Sequence, residues 1–176
     1  MIQKILRSGD PKLREISKPV KVFDNKVKAI ITDLKDTLAS QKDPEGVGLA
    51  APQIGKNIRI FVASYEKFFR VVINPEIIEQ TDTKKLPSKK SKDLNLYEGC
   101  LSLPNYYGPL KRKGSIKIKY LNENGDEIVE TISGFPAQII LHEVDHLNGI
   151  LFIDHLIKQK KPLYELKGEE WEEVEL

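Results

Sequence analysis

At 176 residues and 20.1 kDa, the chain has room for one domain with a sizeable core and too little for two ordinary domains and a linker. Hydrophobic residues make up 40% and charged residues 31%, a globular balance that excludes the low hydropathy and one-sided charge of disordered chains. The 28 basic and 26 acidic residues leave a formal charge of +2, so no global field recruits nucleic acid or an anionic membrane surface.

The first residues, MIQKILRSGDPKLRE, lack an apolar core of signal-peptide length and carry acidic groups early, so a cytoplasmic location is expected. Asp24 reads as the N-cap of a helix over 24–40, where Val27, Ile30, Ile31, Leu34 and Leu38 recur at helical spacing and describe an amphipathic surface helix. Ile58 to Ala63 and Phe69 to Ile78 are rich in Val, Ile and Phe and read as strands, with Pro75 marking an interruption or a sheet edge. TDTKKLPSKKSKDLN, residues 81 to 95, carries five lysines and no apolar period, the pattern of an exposed loop. Ser115 to Tyr120 and Glu127 to Ile132 flank Asn124-Gly125, a strong hairpin signal. A second helix should start near Pro136 and stop at Asn148-Gly149; Phe135, Ile139, Ile140, Leu141, Val144 and Leu147 make it apolar nearly all round, as a buried helix is. ELKGEEWEEVEL, residues 165 to 176, holds six glutamates against one lysine and reads as a solvated tail anchored through Trp171. The expected class is α+β: antiparallel strands surrounding a central buried helix, the 24–40 helix packed outside, residues 1–164 as one domain and 165–176 as an acidic tail.

The buried helix contains HEVDH, residues 142 to 146, with two of the chain's three histidines. Residues four apart share a helix face, so His142 and His146 offer two imidazoles to one metal ion while Glu143 projects beside them. Leaving these groups and Asp145 on an apolar helix without partners or metal costs on the order of several kcal/mol. A catalytic ion of this kind commonly takes three protein ligands and keeps one position for water. Downstream, Phe152 stands where the HExxHxxGxxH pattern puts its third histidine, so His155 reads as a polar residue beyond the helix. Upstream, the lone Cys100 sits in YEGCLSLP; it is either a buried small hydrophobe or a thiolate ligand suited to zinc or ferrous iron. A metallopeptidase and a non-catalytic metal-binding protein both remain open on these residues alone.

Three segments in order, GVGLAAPQ (46–53), EGCLS (98–102) and HEVDHLNG (142–149), resemble the three signature motifs of the peptide deformylase family. The resemblance spans nearly the whole chain, because the helix before the first motif and the hairpin before the third also fit. It implies a metal-dependent hydrolase that removes the formyl group from the N-terminal formylmethionine of newly made polypeptides and releases formate. It implies one divalent ion held by Cys100, His142 and His146, ferrous iron in the cell, with zinc, nickel or cobalt able to take its place. Glu143 would be the general acid and base, with the Gln53 side chain and the Leu101 backbone N–H as donors to the developing oxyanion. The segment around Val47 and Gly48 would pair with an extended substrate backbone, and Val47, Leu96, Phe135 and Ile139 are candidates for the apolar methionine pocket. The implied partners are N-formylmethionyl nascent chains and the ribosome near its exit site, with no membrane and no specific nucleic acid.

The chain departs from that family's pattern at Leu141, where glutamine usually precedes the first histidine, at Gln138, and at Tyr107, where many members carry arginine. The lysine-rich stretch looks like an insertion and reads first as a solvated loop, second as an electrostatic contact with ribosomal RNA. Glu98 and Arg112 are expected to pair and hold the Cys100 loop.

Overall fold

The computed structural model describes residues 1–42, 44–82 and 97–175. Leu96 and most of the lysine-rich stretch therefore lie outside the described residues. The first long element is α1, Asn25–Ser40. The Asp24 carboxylate accepts from the Lys26 and Val27 N–H groups, each at 3.0 Å, which satisfies two of the amides a helix start leaves without partners. Strands β1 (Gly48–Ala50), β2 (Ile60–Tyr65), β3 (Phe68–Thr81), β4 (Glu98–Cys100), β5 (Leu103–Gly108), β6 (Ser115–Leu121) and β7 (Glu127–Ser133) follow. Next come α2 (Phe135–Leu147), α3 (Phe152–Gln159), β8 (Leu163–Lys167) and β9 (Glu170–Val174). The fold is thus mixed, with antiparallel sheets and, among the described residues, three α-helices. Among the described residues, no helix is long and apolar enough to cross a membrane.

The strands form a five-stranded sheet in the order β1-β2-β3-β6-β7 and a four-stranded sheet in the order β4-β5-β8-β9. Both faces of the larger sheet are covered, and the alternation of side chains along β2 decides which residue serves which core. Ile60 and Val62 join Leu49, Val71 and Ile73 against the Val27, Ile31, Leu34 and Leu38 stripe of α1. Phe61 and Ala63 join Ala50, Val72, Ile116 and Ile118 against Ala137, Ile140, Leu141, Val144 and Leu147 of α2. Burial on both sides explains why β2 reads as a continuous apolar run rather than an alternating one. A third core joins Phe152 and Leu156 of α3 to Leu110 and Leu163, tying the smaller sheet to the helical end of the chain.

Pro75 does interrupt β3, but not at a sheet edge. The register slips between Ile73 and Glu76, and Asn74 takes a left-handed φ of 50° while its N–H donates to the Arg59 carbonyl at 2.9 Å. β3 pairs with β2 up to Ile73 and with β6 from Ile73 onward, so the proline sits at the irregularity between two ladders. The β6–β7 hairpin closes Leu121 onto Glu127 through a loop in which Gly125 supplies a φ of 85°. Helix α2 stops at Gly149, where φ is 72° and any Cβ would lie 2.8 Å from the Arg14 carbonyl carbon; only glycine fits there.

One expectation changes. The acidic end is not a solvated tail: β8 and β9 pair from Leu163 with Val174 to Lys167 with Glu170, because Leu163 is buried in the third core and Tyr164 pairs with Tyr107 of β5. His155 lies beyond the end of α2, as expected, within α3.

Candidate functional site

α2 presents His142 and His146 on one face, with ring centroids 4.9 Å apart. β4 ends at Cys100, whose Sγ lies 3.2 Å from His146 Nε2. The sulfur and one nitrogen of each ring all lie within 4.8 Å of one another. His155 is not part of this group; its Nε2 meets Asp145 Oδ2 at 2.8 Å instead. One thiolate and two imidazoles are a donor set for zinc or ferrous iron, three protein ligands with a position left over. Burial pushes the Cys100 thiol up, but His146 and His142 outweigh it and hold the thiol well below its ordinary value, so the sulfur is available as thiolate. The residues therefore fit a divalent ion.

Behind the histidines runs a chain of charge. His142 Nδ1 meets Glu98 Oε1 at 2.6 Å, which orients the ring so that Nε2 faces the sulfur side. Glu98 also accepts from Arg112 Nε at 2.6 Å and Nη2 at 2.7 Å, and Arg112 Nη1 reaches Asp145 at 2.9 Å. The Arg112 and Glu98 side chains are only 7% and 13% exposed, so this pair is screened little by solvent. Burial alone would raise the Glu98 carboxyl; hydrogen bonds from Arg112 and the nearby His142 reverse that and hold it down at about 2. The pairing expected between Glu98 and Arg112 is present, and Asp145 and His155 extend it.

On the other side of the rings lies a cleft of about 210 Å³ that opens to solvent, concave and mostly apolar in its lining as small-ligand sites are. Val47, Gly48, Gln53, Leu101, Phe135 and Ile139 all line it together with Cys100, His142 and Glu143; Leu96 lies outside the described residues. Glu143 is 3% exposed, its Oε2 has no hydrogen-bond partner among the described residues, and burial pushes its carboxyl up to about 7. A carboxyl tuned to that range takes and gives protons near neutral pH. Gly48 leaves the space that the Glu143 carboxyl fills, since a Cβ there would sit 2.8 Å from Glu143 Cδ and the carboxyl would have to shift. Gln53 Oε1 accepts from the Ala50 N–H at 2.8 Å, which fixes the amide so that Nε2 points to Ser102 Oγ at 3.1 Å and Cys100 Sγ at 3.5 Å. Sequence reasoning missed Ser102, which is 1% exposed; its place in EGCLS beside the thiol was the signal that could have found it.

The polypeptide deformylase family profile matches residues 2–162. The chain belongs to the polypeptide deformylase family. A peptide deformylase from Pseudothermotoga lettingae is 41% identical over 154 residues, covering 88% of this chain and 82% of its own. Peptide deformylase 2 of Clostridium acetobutylicum is 40% identical over 153 residues, covering 87% and 94%. The crystal structure of peptide deformylase from Thermotoga maritima superposes with a TM-score of 0.76 at 39% identity, covering 88% of this chain and 97% of that one. Membership in this metal-dependent deformylase family disposes of the metallopeptidase alternative, which left two of the three motifs unexplained.

The departures from the deformylase pattern fall on different sides of α2. Leu141 is 7% exposed and packs in the core under the larger sheet, turned away from the rings. Gln138 and Tyr107 both line the cleft, where they touch whatever occupies it.

Proposed function

We propose that this protein removes the formyl group from the N-terminal formylmethionine of newly synthesised polypeptides, releasing formate. The observation that carries this reading is the convergence of Cys100, His142 and His146 within 4.8 Å at one wall of a cleft that also holds Glu143 and Gln53, on a chain of the deformylase family. The reading includes ferrous iron as the ion in the cell, α2 as the central helix that carries the HExxH pair, one catalytic domain that takes in the β8–β9 hairpin, and action in the cytoplasm on chains emerging from the ribosome.

When bound by Cys100, His142 and His146, a divalent ion supplies Lewis-acid activation of water and of the formyl carbonyl. The remaining work belongs to the chain. Val47 and Gly48, at the edge of β1, orient the substrate backbone by strand addition, and Val47, Phe135 and Ile139 receive the methionine side chain. Glu143 takes the proton of the attacking water on a carboxylate oxygen and hands it to the leaving amine nitrogen. The carboxyl held up to about 7 suits both halves of that transfer. Gln53 Nε2 and the Leu101 N–H donate to the oxygen that becomes negative during attack, and losing one such donor costs about a hundredfold or more in kcat. The bond broken is the formamide C–N bond; the products are formate and a free methionyl amine.

Gln53→Ala tests this division of labour. The account predicts a fall of about a hundredfold in kcat with a KM little changed and metal retained, because the donor acts on the transition state. An equal rise in KM at unchanged kcat would mean that Gln53 only binds substrate.

A further inference from the structure

One face of α2 runs along the cleft. Phe135, Gln138, Ile139 and His142 recur at the spacing of a single helix face, and all four line the cleft. Three of them have a use in the deformylase reading: Phe135 and Ile139 as walls for the methionine side chain, His142 as a candidate metal ligand. Gln138 has none. It is half-buried; its carboxamide has no hydrogen-bond partner among the described residues, while its backbone N–H donates to the Gly134 carbonyl at 3.3 Å. The other glutamine of the cleft is a contrast, since the Gln53 carboxamide is fixed at both ends, by the Ala50 N–H at 2.8 Å and by Ser102 Oγ at 3.1 Å. A carboxamide set between Phe135 and Ile139 breaks an otherwise apolar wall, and an amide covered by a dry side chain loses hydrogen bonds to water without recovering them. Such a donor suits an occupant that carries an acceptor.

The spacing says which substrate atom it meets. Gln138 stands one turn before His142, about 6 Å along the axis at about 1.5 Å per residue. Five bonds separate the formyl carbon, held beside His142, from the sulfur of the first residue, and an extended chain spans about 6 Å with them at its reach of about 3.6 Å per three bonds. That places the sulfur level with Gln138. A thioether is a weak acceptor, but its oxidation product, methionine sulfoxide, carries a strongly polar oxygen on the same atom. We propose that Gln138 Nε2 donates to this sulfoxide oxygen, so that the protein removes the formyl group from N-formylmethionine sulfoxide as well as from N-formylmethionine. The inference rests on the deformylase reading for the reaction itself. The bond changes are the same: water adds across the formamide C–N bond, formate and a free amine leave, and the sulfoxide is released as it entered.

The test measures formate release from formyl-Met-Ala-Ser and from its methionine-sulfoxide counterpart, each sulfoxide epimer separately, by the metal-loaded full chain. For the better epimer the wild type should keep kcat/KM within about tenfold of the thioether peptide. Gln138→Met has an unbranched side chain without a donor, and leaving a buried oxygen unpaired weakens binding by about ten- to a hundredfold, so the sulfoxide peptide should fall behind by that further factor. The loss belongs in KM, because the sulfur takes no part in the bond changes. Reading the ratio of two peptides in one protein cancels any general loss of activity. Should Gln138→Met fail to fold, Gln138→Glu keeps the shape, offers no donor when ionised, and must give the same drop. A wild type that lags by more than about tenfold on both epimers, or a ratio identical in wild type and variant, overturns the role of Gln138 and leaves the deformylase reading intact. Formate from neither peptide defeats the deformylase reading instead, and titration calorimetry with the same peptides then decides the role of Gln138: tighter binding of the sulfoxide peptide by the wild type than by Gln138→Met supports it, and equal binding overturns it.

Discussion

Gly48 and Glu143 occupy one space between them. The room that a methyl group would need at position 48 is taken by the Glu143 carboxyl group, so Gly48→Ala should push the carboxylate out of line, the clash falling on Glu143 and not on the candidate ligands. A displacement of about 1 Å at a reacting group costs about a hundredfold in rate, so that loss is expected in kcat/KM at unchanged metal content; a variant with full activity would show that Glu143 is free to move. Arg112 is the second residue-scale test. Removing its side chain leaves Glu98 buried beside His142 without a cation, a change that costs about 3 to 5 kcal/mol and should appear in urea denaturation at pH 7. The sign with pH follows from Glu98, whose carboxyl is lowered from 4.5 to about 2. Its contribution is complete above pH 4.5 and drains away as the pH falls toward 2, so the gap between wild type and Arg112→Ala should narrow over that window. A gap that widens on acidification would assign the stability to another group. The Glu98–Arg112 pair was legible in the sequence as opposite charges flanking the Cys100 loop. Its extension to Asp145 and His155 was not, because it depends on the turn after α2 bringing His155 of α3 back to Asp145.

At the scale of elements, legibility tracked length and period. α1 could be read from its stripe and its cap, and Asp24→Ala should cost about 1 kcal/mol of stability in thermal or urea unfolding; no loss would mean that water serves the first amides equally well. α2 and the β6–β7 hairpin were equally plain. The smaller sheet was not. β4 is three residues long with a glycine at its centre, β5 contains Pro104 and ends in Gly108, and β9 reads EWEEV with four of its five residues exposed. Such strands carry almost no period-two signal; they are held by pairing and by the third core rather than by their own propensity. α3, eight residues long, is too short to announce itself by spacing.

At the scale of the whole molecule, the candidate metal ligands come from two layers. Cys100 belongs to the smaller sheet, whereas His142 and His146 ride on α2, which packs against the larger one. An ion held by all three joins the layers, so binding should stabilise the folded chain by mass action. Stripping the metal with a chelator should lower Tm by several degrees, and His146→Ala should abolish the difference between loaded and stripped protein. Identical melting curves for loaded and stripped wild type would remove the ion from this site. The overall α+β character was legible because α1, α2 and the longer strands carry clear patterns; the division into two sheets was not, since it depends on which short strands pair.

The most direct measurement is formate release from formyl-Met-Ala-Ser by anaerobically purified, ferrous-loaded protein, run beside Glu143→Gln with metal content assayed in both. The account predicts rapid release by the wild type, loss of nearly all release in Glu143→Gln, and equal metal in the two. Bound metal with no formate from the wild type, or full activity in Glu143→Gln, would contradict it.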